Sequence, residues 1–202
     1  MMAVLEWIWN WILAPAIRTG TNALVGRLAG VPGMVAGAIL GAIHGWRMAI
    51  AHSYDWSTAA GWVEFVVDNT WALPNSVVAS IWAALNIWNR SEQSTSEGVG
   101  QLGLHSSWAG SYATTFGNVT AGTRVPRHER THALQSRIFG PLLYPTWIAH
   151  YIINAVLPYW LIYHNARYPN SPITNFGQYF SRGVYPHTWA EEWAYSVEGD
   201  PP

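Results

Sequence analysis

His128 and His132 stand four residues apart in the run RVPRHERTHALQSRIFGP. On a helix that spacing puts both imidazoles on one face, one turn apart, within reach of a single metal ion. Glu129 lies beside the first of them, where a carboxylate can take a proton from a water at the metal. A catalytic zinc takes about three protein ligands and keeps one position for water, whose pKa falls to about 7. The chain has no cysteine, so any metal must be held by His, Glu or Asp. A third ligand is available downstream in PHTWAEEWAY, where Glu191 or Glu192 sits on a second predicted helix with a small residue, Ala194, three places after Glu191. Spacing alone leaves the choice between the two glutamates open. His187, four residues before Glu191, is a candidate to stabilise an oxyanion or add a ligand. The plainer alternative is a histidine hydrogen-bonded to backbone near a helix start.

These residues need a scaffold, and the composition of that scaffold is unusual. Charged residues make up 10% of the 202, where about 25% is usual. All ten positive charges are arginine, and fourteen tryptophans and ten tyrosines stand beside them. Such a chain lacks the charge to cover itself in water, so part of its surface is expected to face membrane lipid or other membrane-protein subunits. With a formal net charge of −1 and no basic run, nucleic acid is excluded as an expected partner.

Along the chain the pattern is mainly α. The N-terminal run MMAVLEWIWNWILAPAIR has no basic leader region and carries Glu6 early, so it does not read as a secretory signal. Trp7, Trp9 and Trp11 suggest an interfacial helix instead. Gly26 and Gly30, then Gly33, Gly37, Gly41 and Gly45, recur at four-residue spacing, a pattern that lets two helix backbones approach closely. The uncharged run Leu28–His44 is marginal for a bilayer span, and Pro32 either starts a helix or kinks one. A second helical region covers 57–89, with Ser57 as a plausible cap, Glu64 and Asp68 on one face, and Pro74 as a break. Two half-length helices or a re-entrant pair fit that region. His44 and His52 are candidates either to pair with Glu64 or Asp68 or, equally, to ligate a metal.

Residues 90–122 change character. A polar, Gly-rich loop precedes β-branched and aromatic residues between glycines, consistent with one or two short strands. Asn118 there is read either as presenting its carbonyl to substrate from an edge strand or as a turn residue. Ile138–Tyr163 is the longest uncharged stretch and is long enough to cross a bilayer with tilt. Pro141, Pro145, Pro158, His150 and Asn154 make it a kinked or discontinuous helix rather than a plain anchor. No repeat and no linker divides the chain, so the expectation is one domain over 1–202: membrane-associated helices to residue 89, a loop with short strands over 90–122, and the HExxH helix, apolar helix and C-terminal segment over 123–202.

HERTHALQ followed by FGPL and a terminal EEWAY resembles the gluzincin class of metallopeptidases, in which two histidines of HExxH and a glutamate from a later helix hold zinc. The membrane setting and the Glu-x-x-Ala pattern are similar to the integral-membrane peptidases of that class. The segment is also similar to small bacterial membrane proteins with an HExxHxxQ and Gly-Pro core preceded by a Phe-Gly-Asn-Val strand, here Phe116 to Val119. The resemblance covers Thr114 to Tyr195, under half the chain. It implies zinc at His128, His132 and Glu191, Glu129 as general base, a peptide substrate, and a place in the bacterial inner membrane. The chain departs from the class at Arg130, inside the HExxH, and at Tyr195, where an aspartate is usual. Two expectations follow: a membrane-bound zinc-dependent peptidase, or a non-catalytic accessory or structural subunit of a larger membrane complex, respiratory or photosynthetic, that keeps the metal site or its remnant.

Overall fold

The computed structural model describes residues 2–89, 91–92, 100–105, 113–122 and 127–199. It is mainly α-helical with a small β element ahead of the HExxH helix. The chain falls into two compact units, Met1–Pro141 and Leu142–Pro202.

The first unit opens with α1 (Met2–Ile8), a π-helical turn (Trp9–Leu13) and α2 (Ala14–Gly26), then α3 (Gly30–Ile50). Ala3–Ile50 is apolar enough and long enough, by length and composition, to cross a membrane. It is not one straight rod: Gly30, at φ +76°, reverses the chain, and α3 packs antiparallel on α2. The glycine series makes this possible. A Cβ at Gly45 would stand 2.7 Å from Pro15 Cα, and Cβ atoms at Gly33, Gly37 and Gly41 would meet the carbonyl oxygens of Gly26, Asn22 and Arg18 still more closely. Pro32 sits in the first turn of α3, where its missing N–H has no helical partner to lose. Of the N-terminal indoles, Trp7 is exposed, whereas Trp9 packs edge-on to Trp62 (centroids 4.5 Å) within a cluster that includes Trp56 and Phe65.

Helix α4 (Ala59–Asn69) is capped by Thr58 rather than Ser57: the Thr58 hydroxyl accepts the Gly61 N–H at 3.2 Å. The region divides into two short helices as expected, with Pro74 in the first turn of the second, α5 (Leu73–Leu85). The small sheet has the order β1-β2-β4-β3, built from Ser91–Glu92, Leu102–Leu104, Thr114–Phe116 and Val119–Ala121. Gly117 and Asn118 are the two-residue turn between β3 and β4, not part of a strand; Gly117 has φ +56° and lies against the Asn75 carbonyl. Leu102, Leu104, Val119 and Ala121 are fully buried and join the core under α3 and α5. Helix α6 (Arg127–Phe139) carries HERTH.

The second unit holds α7 (Leu143–Val156), α8 (Tyr159–Arg167), the single turn α9 (Phe176–Tyr179) and α10 (Trp189–Glu198). The uncharged stretch is therefore discontinuous, with its break at Leu157 and Pro158. Tyr179 fills that break by donating its hydroxyl to the Asn154 and Leu157 carbonyls at 2.6 and 2.9 Å. These are carbonyls that the end of a helix leaves unpaired. Ile173, Tyr179 and Val184 form the local core.

Candidate metal centre

Helix α6 brings His128 and His132 together as their spacing requires. The two rings meet edge to face with centroids 4.8 Å apart, and both are buried. His132 Nδ1 lies 2.9 Å from the side-chain oxygen of Gln135, itself fully buried three residues on. An amide oxygen only accepts, so Nδ1 carries the proton and Nε2 presents its lone pair. This is the outer partner a ligating histidine needs to fix its tautomer and orientation. HERTHALQ contains it, but only the structure gives Gln135 that task.

Glu129 is buried, and its carboxylate accepts the hydroxyl of Thr115 from β3. Because the carboxylate takes the Thr115 proton, Thr115 accepts from Thr120 on β4, which in turn accepts from Gln101 Nε2 at 2.6 Å. Gln101 also donates to the Glu129 main-chain carbonyl at 3.2 Å. A directional hydrogen-bond chain thus runs from the sheet to Glu129 and sets where its carboxylate sits. These partners are the reason the small β element precedes the helix.

At its other end α6 is anchored by Arg137. The guanidinium donates to both oxygens of Asp68 at 2.9 and 3.1 Å, reaches Glu64 at 3.1 Å and meets the Gly100 carbonyl at 2.7 Å. Tyr54 and Asn118 donate to the same Asp68 oxygen at 2.8 and 3.0 Å, and Arg18 donates to Tyr54 at 2.9 Å. Burial opposes the charge on Arg137, but Asp68 and Glu64 overcome it and hold its pKa above the ordinary arginine value. Burial raises the Glu64 pKa, with Arg137 and then Arg130 pulling the other way. Arg130, the departure inside HERTH, therefore acts on Glu64. Asn118 serves as a buried turn residue that ties the sheet to Asp68. His44 bonds Ser80 at 2.9 Å, and His52 lies 3.4 Å from Asn10; neither takes Glu64 or Asp68.

In the second unit the structure separates the two glutamates. Glu191 is buried, whereas Glu192 is exposed and bonds His187 at 3.3 Å. Tyr185 hydrogen-bonds Glu191, and its own pKa is pushed up by burial, by the Glu191 charge and by that bond. One face of α7 fixes the start of α10. Trp147 Nε1 donates to Thr188 Oγ1 at 3.2 Å, His150 Nδ1 accepts the Trp189 N–H at 2.9 Å, and Asn154 donates to the His187 carbonyl at 2.9 Å. Thr188, the N-cap, makes no side-chain cap bond, so His150 takes one of the orphan N–H groups of the first turn. His187 stacks flat on Trp160, centroids 3.5 Å apart, with its partner in Glu192 rather than Glu191. Burial lowers its pKa, and Glu192 offsets part of that.

His128 and His132 on α6, and Glu191 on α10, are each buried and each of a residue type that can ligate a metal ion. Two imidazoles and a carboxylate suit zinc and do not select it alone. No family model, curated protein or solved structure matches the chain.

Proposed function

We propose that the chain is a membrane-bound, zinc-dependent peptidase whose metal is held by His128, His132 and Glu191. The observation that carries the reading is the pairing of HERTH with Gln135. His132 is held by a buried amide in the tautomer that offers Nε2, and His128 lies beside it on the same helix face. Glu191 supplies the third ligand. It is a buried carboxylate with a tyrosine hydroxyl on it, and a buried carboxylate calls for a compensating cation. A divalent ion held there would supply Lewis acidity toward a peptide carbonyl and would make water acidic enough to attack near neutral pH.

The protein's own part is orientation and proton transfer. Thr115 and the hydrogen-bond chain behind it hold the Glu129 carboxylate, the base that takes a proton from the attacking water and returns it to the leaving amine. Gln135 holds His132, and Tyr185 holds Glu191. His187, on Trp160 and Glu192, is left without a part in this scheme.

The test is Glu129→Gln, with cleavage of a peptide library in detergent or liposomes beside zinc content. The reading expects zinc retained near one per chain and turnover reduced by at least the ~10²-fold typical of a lost general base. Wild-type cleavage by the variant would refute it. A second reading, a non-catalytic subunit of a membrane complex, has one observation in its favour: Glu129 already has a buried hydroxyl partner, as a purely structural carboxylate does. It expects zinc without cleavage in the wild type, and copurification with other subunits at fixed stoichiometry.

A further inference from the structure

The reversal at Gly30 bears on the membrane part of this reading. A single apolar rod from Ala3 to Ile50 would leave its ends on opposite sides of a bilayer. The structure instead zips residues 10–26 antiparallel onto 33–49: Gly33 lies on Gly26, Gly37 on Asn22, Gly41 on Arg18 and Gly45 on Pro15, and Asn10 donates to the Ala49 carbonyl at 2.8 Å. From this pairing we infer that the hairpin crosses a lipid bilayer twice, with its turn on the far side and both of its open ends on the near side.

Dimensions and residue types agree with lipid as the occupant. The 21 residues of α3 rise about 31 Å at ~1.5 Å each, against a hydrocarbon core of about 30 Å. Between Asn10 and Trp46 the charged side chains are Arg18 and Arg27. Arg18 is 1% exposed, turned inward onto Tyr54 and the Asp68 carbonyl. Arg27 is exposed at the turn, where a crossing delivers it to the opposite headgroups. Trp7, Trp11 and Trp46 are exposed at the open end, the depth at which indoles settle in an interface. Between these two levels Leu24, Val31, Val35 and Ile39 are exposed, and the most apolar window of the segment is uncovered by the rest of the protein. Arg18 also reaches the Tyr54–Asp68–Arg137 network that anchors α6, so HERTH belongs to the open-end side. Under the function proposed above, a substrate would be a polypeptide segment presented at that one membrane face.

The absence of cysteine makes the test clean. Single-cysteine variants Ala3→Cys, Ser57→Cys, Leu28→Cys and Val35→Cys are placed in sealed liposomes of phosphatidylethanolamine and phosphatidylglycerol. Each is treated with a membrane-impermeant maleimide before and after lysis. The inference expects positions 3 and 57 to label from one side, position 28 from the other, and position 35 from neither until the protein is unfolded. Labelling of 3 and 57 from opposite sides would establish a single crossing and overturn it. Shielding of 28 from both sides would also overturn it, in favour of a hairpin that dips in and returns. Labelling of 28 and 35 from the same side as 57 would place the hairpin in water. None of these results touches zinc content, so the metal site and the hairpin stand or fall separately.

Discussion

The two ends of α6 hold two buried polar clusters of different kinds. At the C-terminal end Arg137 pairs with both Asp68 and Glu64, Tyr54 and Asn118 donate to Asp68, Arg137 also meets the Gly100 carbonyl, and Arg18 donates to Tyr54. That cluster pairs its carboxylates with an arginine from within the chain. The N-terminal end offers His132 with Nε2 presented outward from Gln135, His128 beside it, and a carboxylate held by a threonine. Closed networks hold structure, whereas oriented lone pairs on imidazoles are prepared for something to bind. The same helix is therefore bolted at one end and armed at the other.

Breaking the closed cluster should have the largest effect. Asp68→Asn takes from the buried Arg137 the carboxylate that both Arg137 and Tyr54 bond, and loss of one member of such a pair costs about 3–5 kcal/mol. A fall of that size in urea or thermal unfolding is expected. An unchanged midpoint would show that the network is not the bolt. Next in size is Gln135→Leu, which removes the outer partner of His132. Zinc affinity should fall about 10–100-fold by competition with a chelating dye. The zinc-free fold should persist, as judged by its circular dichroism. Equal loss of fold and affinity would place Gln135 in the structural class instead.

HERTH was legible because its chemistry is local: the ligand spacing, the helix and even Gln135 lie within one short run. The glycine series was legible for a related reason, since a four-residue period shows itself along one helix. What it packs against was not, because Gly45 meets Pro15 and Gly37 meets Asn22 across a reversal that no local pattern announces. The Asp68–Arg137 pair joins residues far apart in sequence. Glu64 and Asp68 could be seen to share a face, but nothing in the sequence named Arg137 as what they face. Likewise the choice between Glu191 and Glu192 rested on a resemblance, and burial distinguishes them once α10 is packed. Asn118 looked like strand or turn because a two-residue turn and an extended segment share the same flanking residues.

The smaller effects belong to the second unit. His150→Ala removes the side-chain cap on the Trp189 N–H. It should cost ~1 kcal/mol, within the range for lost N-caps, and His150→Asn should restore part of it. Hydrogen exchange at the first turn of α10 would read this. Unaltered exchange in the alanine variant would remove His150 from the capping role. Smallest is the pH response of His187. Its folded pKa is lowered below 6.5, first by burial, so the folded state prefers the neutral ring. Its contribution is therefore complete above about 6.5. It is lost as pH falls below that value toward the folded pKa, because the unfolded chain takes up the proton first. His187→Phe should keep the stack on Trp160 and flatten that part of the stability profile. An unchanged slope would assign the response to another group.

The central claim is that the armed end of α6 holds a metal. Elemental mass spectrometry of the purified chain, beside His132→Ala and Glu191→Gln, tests it directly. The account predicts near one zinc per wild-type chain, none in the histidine variant and a weakened, readily chelated zinc in the glutamine variant. A wild-type chain that takes up no metal when supplied with zinc would contradict it, and HERTH would then be a turn of buried polar helix like the end that Arg137 secures.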